Sequence, residues 1–111
     1  RGQERIERFD AAFVLRRPNR KPHVDLVAAV RSQLERAGVP GDAIDEVLLG
    51  NCLMAGQGQA PARQAMRKAG LPDGTGAVTL SKMCGSGMRA MMFGHDMLAA
   101  GSAGVVVAGG M

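Results

Sequence analysis

Three short apolar runs constrain what this chain can fold into. Glu46-Val47-Leu48-Leu49-Gly50, Ala77-Val78-Thr79-Leu80-Ser81 and Val105-Val106-Val107-Ala108 lack polar alternation, so each reads as a strand buried on both faces. Asp10 to Leu15 reads as an earlier strand, broken by Arg16 to Pro22, whose prolines remove N–H donors and disfavour helix before them. Between the strands lie helical segments. Val24 to Ala37 repeats Val27, Val30 and Leu34 at helical spacing, with Asp25 in the first turn and Gly38 past the end. Pro61 opens a second helix that runs to Ala69, closed by Gly70 and Pro72. Cys84 to Ala100 reads as a third, with Met88, Met91, Met92, His95 and Leu98 on or near one face and Gly101 ending it. The order β-α-β-α-β-α-β implies an α/β fold with a mostly parallel sheet and helices on both faces, joined by right-handed crossovers. The fourth strand stops at the end of the chain, so the sheet is expected to be incomplete.

With 111 residues the chain is at most one ordinary domain. Three Phe, no Tyr and no Trp stand against eight Met and sixteen Gly, so Met, Val, Leu and Ala are expected to fill the core. The formal charge is +4, and all of it falls in residues 1–21, where Arg1, Arg5, Arg8, Arg16, Arg17, Arg20 and Lys21 face three acids. The division is therefore a basic arm and first strand over residues 1–22, and a core over 23–111 that runs to the fourth strand. Only Phe9 and Phe13 accompany the basic residues, which is not the basic–aromatic interleaving of a nucleic-acid surface. No nucleic-acid partner is expected, and the arm reads as a solvated or subunit-contacting segment. No apolar run reaches membrane-spanning length. Cys52 and Cys84 are far apart, no C-x-x-C occurs, and His23 and His95 are isolated. A metal site is not expected, and a free-thiol, cytoplasmic protein is.

The chemistry converges on Cys84. It stands where an apolar run ends and a helical run begins. A thiol there meets orphan N–H groups and the positive end of a helix dipole, the setting that favours the nucleophilic thiolate. Gly85 and Gly87 remove side-chain bulk where an acyl group would approach. The alternative is a small buried thiol at a strand end. A G-x-nucleophile-x-G elbow is not expected, because Lys82 and Ser86 occupy the flanking positions. Gly56-Gln57-Gly58 and Gly85-Ser86-Gly87 complete no phosphate-binding pattern and read as tight turns. His95 lies eleven residues beyond Cys84, roughly 16 Å along a helix, so it is not its base. No general base carries a sequence signature.

The segment Lys82-Met83-Cys84-Gly85-Ser86-Gly87-Met88-Arg89-Ala90 resembles the active-site cysteine segment of thiolases, in the acetyl-CoA acetyltransferase branch. Gly50-Asn51-Cys52, Ala55 to Ala65, Ala69-Gly70-Leu71-Pro72 and Gly104 to Met111 are similar to further thiolase stretches in the same order. The chain departs from the family at Ser81 and at Ala60, where thiolases usually carry Asn. The family's Asn-Glu-Ala-Phe, Gly-His-Pro and second-cysteine segments do not occur. The chain therefore reads as an N-terminal piece of a thiolase, most of the first half-domain.

The resemblance implies an acyltransferase. Cys84 is expected to be the acyl-thioester nucleophile, with its own backbone N–H helping to hold the oxyanion. The full-length protein is expected to make or cleave acetoacetyl-CoA from acetyl-CoA and other acyl-CoA substrates, within fatty acid metabolism. It needs no cofactor beyond these coenzyme A thioesters, and it assembles as a homodimer or homotetramer. Cys52 matches no second-cysteine motif and carries no role. The contrasting expectation is a catalytically inactive half that serves folding or oligomerisation.

Overall fold

The computed structural model describes Val14–Leu15, His23–Val24 and residues 26–111. Its elements are β1 (Val14–Leu15), β2 (His23–Val24), α1 (Leu26–Ala37), a 3-10 turn (Gly41–Ala43), β3 (Glu46–Gly50), α2 (Pro61–Lys68), β4 (Gly76–Leu80), α3 (Ser86–Ala100) and β5 (Val106–Gly110). The rest of the basic arm lies outside the described residues.

The three apolar runs form one parallel sheet in the order β4-β3-β5. Gly50 pairs with Leu80 on one side and with Gly110 on the other, so all three strands end at one level. The early strand does not join this sheet. Val14 pairs with Val24 and Leu15 with His23, antiparallel, as a separate two-stranded unit. Val24 therefore belongs to a strand and not to the start of α1, which begins at Leu26: its antiparallel pairing with Val14 holds it extended.

Side chains alternate between two faces, but only the central strand is buried on both as expected: Val47 and Leu48 are 3% exposed, while Val78 on the edge strand β4 is 43% exposed. Val47 packs with Ile44 and Met66 in the buried cluster, against which Leu34, Leu49, Leu71 and Val107 also pack, and this is the α1/α2 face. Leu48, Val106 and Ala108 point the other way, since a Cβ on Gly94 of α3 would meet all three. The result is helix, sheet, helix. The three described helices end in the same 6→1 bond: Val39 N–H donates to Leu34 C=O at 3.1 Å, Leu71 N–H to Met66 C=O at 3.2 Å, and Ser102 N–H to Met97 C=O at 3.0 Å.

The methionine face of α3 is not core. Met88 is 67% exposed, and Met91, Met92, His95 and Leu98 are exposed with it. The packed side consists of Ser86, Ala90 and Gly94, all buried and spaced four apart. Small residues win that side because the helix lies very close to the glycines at the ends of β3 and β5, and larger side chains do not fit between.

The candidate acyl-transfer site

In a parallel sheet, sites form outside the carboxyl ends of the strands. Here those ends are Asn51-Cys52 after β3, Ser81 to Gly85 after β4, and Met111 after β5. They are tied together: Asn51 N–H donates to Leu80 C=O at 2.8 Å and Met111 N–H to Gly50 C=O at 2.9 Å. Three glycines bring α3 down onto this edge. A Cβ on Gly110 would lie 3.3 Å from the Gly87 Cα, and a Cβ on Gly50 would overlap the backbone of Ser86 and Gly87. The first turn of α3 is thereby seated on the central strand.

Cys84 lies just ahead of that turn, outside the helix whose first residue is Ser86. It is exposed, which removes the buried-thiol alternative. Its φ is +58°, the left-handed region that non-glycine residues rarely occupy. The turn is closed by Gly85 N–H, which donates to Lys82 C=O at 2.8 Å. A strained cysteine between a strand and a helix is an elbow in geometry, although the flanking-glycine pattern is missing. The glycines that relieve crowding come from β3 and β5, which no local motif could reveal. Among the described residues, the N–H groups of Cys84, Ser86 and Gly87 have no protein acceptor. They are unsatisfied donors at the start of a helix, the kind of group that can hold negative charge.

Two side chains that the motif did not single out belong to this turn. The Ser86 hydroxyl bonds both the N–H and the C=O of Lys82. The Lys82 side chain folds back over Gly85, its Cδ 3.8 Å and its Nζ 4.0 Å from where a Cβ would stand. His95 is exposed and bonded at 3.4 Å to Asp96, away from Cys84 as its spacing requires. Cys52 is half-buried and free, in a loop laced by amides: Asn51 Nδ2 donates to Gln57 Oε1, Gln57 Nε2 to Leu53 C=O at 3.0 Å, and Gln64 Nε2 to Gln59 C=O at 2.7 Å. An apolar cavity of about 220 Å³ lies on the α1/α2 face against Leu34, Met66, Val107 and Met111, and neither cysteine lines it. Among the described residues no cluster of His, Cys, Asp or Glu could hold a metal ion, and no helix is long and apolar enough to cross a membrane.

The fold and this turn define a class: an α/β domain that presents an exposed cysteine at a strand-to-helix junction. The chain belongs to the thiolase family, for residues 19–111 match the thiolase N-terminal domain. It is 54% identical over 103 residues to an acetyl-CoA acetyltransferase of Rhizobium meliloti, covering 93% of this chain and 25% of that protein. It is 51% identical over 83 residues to a mitochondrial acetyl-CoA acetyltransferase of Xenopus tropicalis, covering 75% of this chain and 20% of that protein. Among solved structures it is similar to the Acat5 thiolase from Ascaris suum in complex with coenzyme A, with a TM-score of 0.67 and 32% identity over 69% of this chain and 20% of the other. The chain thus spans a fifth to a quarter of the length of these relatives.

Proposed function

We propose that the full-length protein is an acetyl-CoA C-acetyltransferase and that Cys84 is its acyl nucleophile. The observation that carries this is the exposed Cys84 at φ +58°, with unpartnered N–H groups at and just after it. The Cys84 sulfur adds to the thioester carbonyl of acetyl-CoA. The carbonyl oxygen becomes an oxyanion, which the Cys84 N–H helps to hold. Collapse breaks the carbon–sulfur bond to coenzyme A, which leaves as its thiol with the proton from Cys84, and acetyl-Cys84 remains. A second acetyl-CoA loses a proton from its α carbon and attacks the acetyl group; the carbon–sulfur bond to Cys84 breaks, acetoacetyl-CoA forms, and the proton ends on the restored Cys84 thiol. The sequence is reversible.

The finer reading follows the same line. Acyl-CoA thioesters are the substrates, no metal or redox cofactor takes part, and the reaction serves fatty acid metabolism. A reducing, cytoplasmic compartment suits two free thiols. A homodimer or homotetramer is supported by β4, an edge of the described sheet, where Val78 is 43% exposed and shares a surface hollow with exposed Phe93. Replacing Cys84 with Ala in the full-length protein tests the reading: thiolytic turnover of acetoacetyl-CoA is expected to fall by about 10⁴-fold or more. Normal turnover in that variant would overturn the assignment of Cys84 as nucleophile, whereas no turnover in the unaltered full-length protein would favour the inactive, oligomerisation role.

A further inference from the structure

The turn that carries Cys84 is not held by packing. Met83 is 69% exposed and Cys84 is exposed, yet Cys84 keeps a left-handed φ of +58°. Such a conformation persists only where its surroundings impose it. One backbone bond, Gly85 N–H to Lys82 C=O, closes the turn, but that bond is equally compatible with a turn of negative φ. The further constraint is Ser86. Its Oγ accepts the Lys82 N–H at 2.9 Å and donates to the Lys82 C=O at 2.7 Å, a reciprocal clamp across the base of the loop. Ser86 is itself fixed, buried and seated against Gly50 of the central strand.

We propose that Ser86 is the positioning residue for Cys84: its hydroxyl locks both ends of the Lys82–Ser86 loop and so holds the cysteine in the left-handed conformation from which α3 begins. This rests on the reading of Cys84 as the nucleophile. Ser86 touches no reacting atom and acts through the turn.

The test is competitive labelling with iodoacetamide in the full-length protein, with adducts at Cys84 and Cys52 quantified in the same sample and thermal unfolding measured alongside. Ser86→Ala is expected to lower the Cys84-to-Cys52 labelling ratio about tenfold, the scale of losing a pair of ordinary hydrogen bonds. Alanine occupies no more space than serine, so this variant is expected to keep a single cooperative thermal transition, and the ratio then reports the turn and not the fold. An unchanged ratio in the alanine variant would overturn the proposal. So would parallel changes at both cysteines, including those that follow loss of the fold, because they assign Ser86 a purely structural part. Iodoacetamide contains no coenzyme A. A protein that shows the expected ratios yet takes no acetyl group from acetyl-CoA would therefore keep the clamp and lose the acyl-transfer reading.

Discussion

Gly50 and Ser86 approach each other so closely that a methyl group on Gly50 would lie 2.6 Å from the Ser86 Cβ and overlap the Ser86 carbonyl carbon. This contact links the central strand to the helix that follows the cysteine. Gly50→Ala is expected to destabilise the domain by about 1–3 kcal/mol, the usual scale of overpacking, by pushing the N-terminus of α3 off the sheet. The check is chemical denaturation together with alkylation at Cys84, whose rate should change more than that at Cys52. Equal stability and equal labelling would mean that the close approach is not constrained.

Ala60 is the opposite case, a strained position that the chain could relieve. It precedes α2 at φ 50°, ψ 66°, and its side chain makes no capping bond. The cap comes instead from β4, where Thr79 Oγ1 accepts the Ala62 N–H at 3.0 Å. Ala60→Gly or Ala60→Asn is expected to stabilise by about 1 kcal/mol, because both residues tolerate the left-handed region. A rise in Tm supports this, and a fall contradicts it.

Removing the Thr79 hydroxyl should have the reverse effect. Thr79→Val keeps the shape but leaves the Ala62 N–H without its acceptor, at a cost of about 1 kcal/mol. Urea unfolding of the variant checks it, and an unchanged midpoint would show that the cap contributes nothing.

Asp45 gives the domain an acid-sensitive tie at the other end of the sheet. Its Oδ2 accepts Gly104 N–H at 2.7 Å and Val105 N–H at 3.0 Å. The Val105 bond first, and then the Gly104 bond, hold its carboxyl below the ordinary value of 3.8. A lowered folded-state value means that the stabilisation is fully present above the unfolded value and is lost as pH falls through the folded one. Asp45→Asn should therefore be less stable than the unaltered protein at pH 7, and the two stability curves should converge as pH drops below 3.8. Parallel curves would refute the linkage.

The sheet was legible because its strands are short apolar runs with sharp polar or glycine boundaries. Glu46–Gly50 agrees with expectation, while β4 and β5 are displaced by about a residue. The packed face of α3 was not legible. Hydrophobicity points to Met88, Met91 and Met92, but what decides the face is how near the helix can come to Gly50 and Gly110, and that favours Ser86, Ala90 and Gly94. The position of Cys84 at the junction could be read from its neighbours. Its left-handed backbone could not, because the residues that impose it come from β3 and from a serine that looks, in sequence, like a small spacer.

The central claim is that Cys84 carries the acyl group. Brief exposure of the full-length protein to acetyl-CoA, followed by intact mass and peptide mapping, tests it most directly. The account predicts one acetyl group per chain, on Cys84 and not on Cys52. No adduct, or an adduct shared by both cysteines, would contradict it.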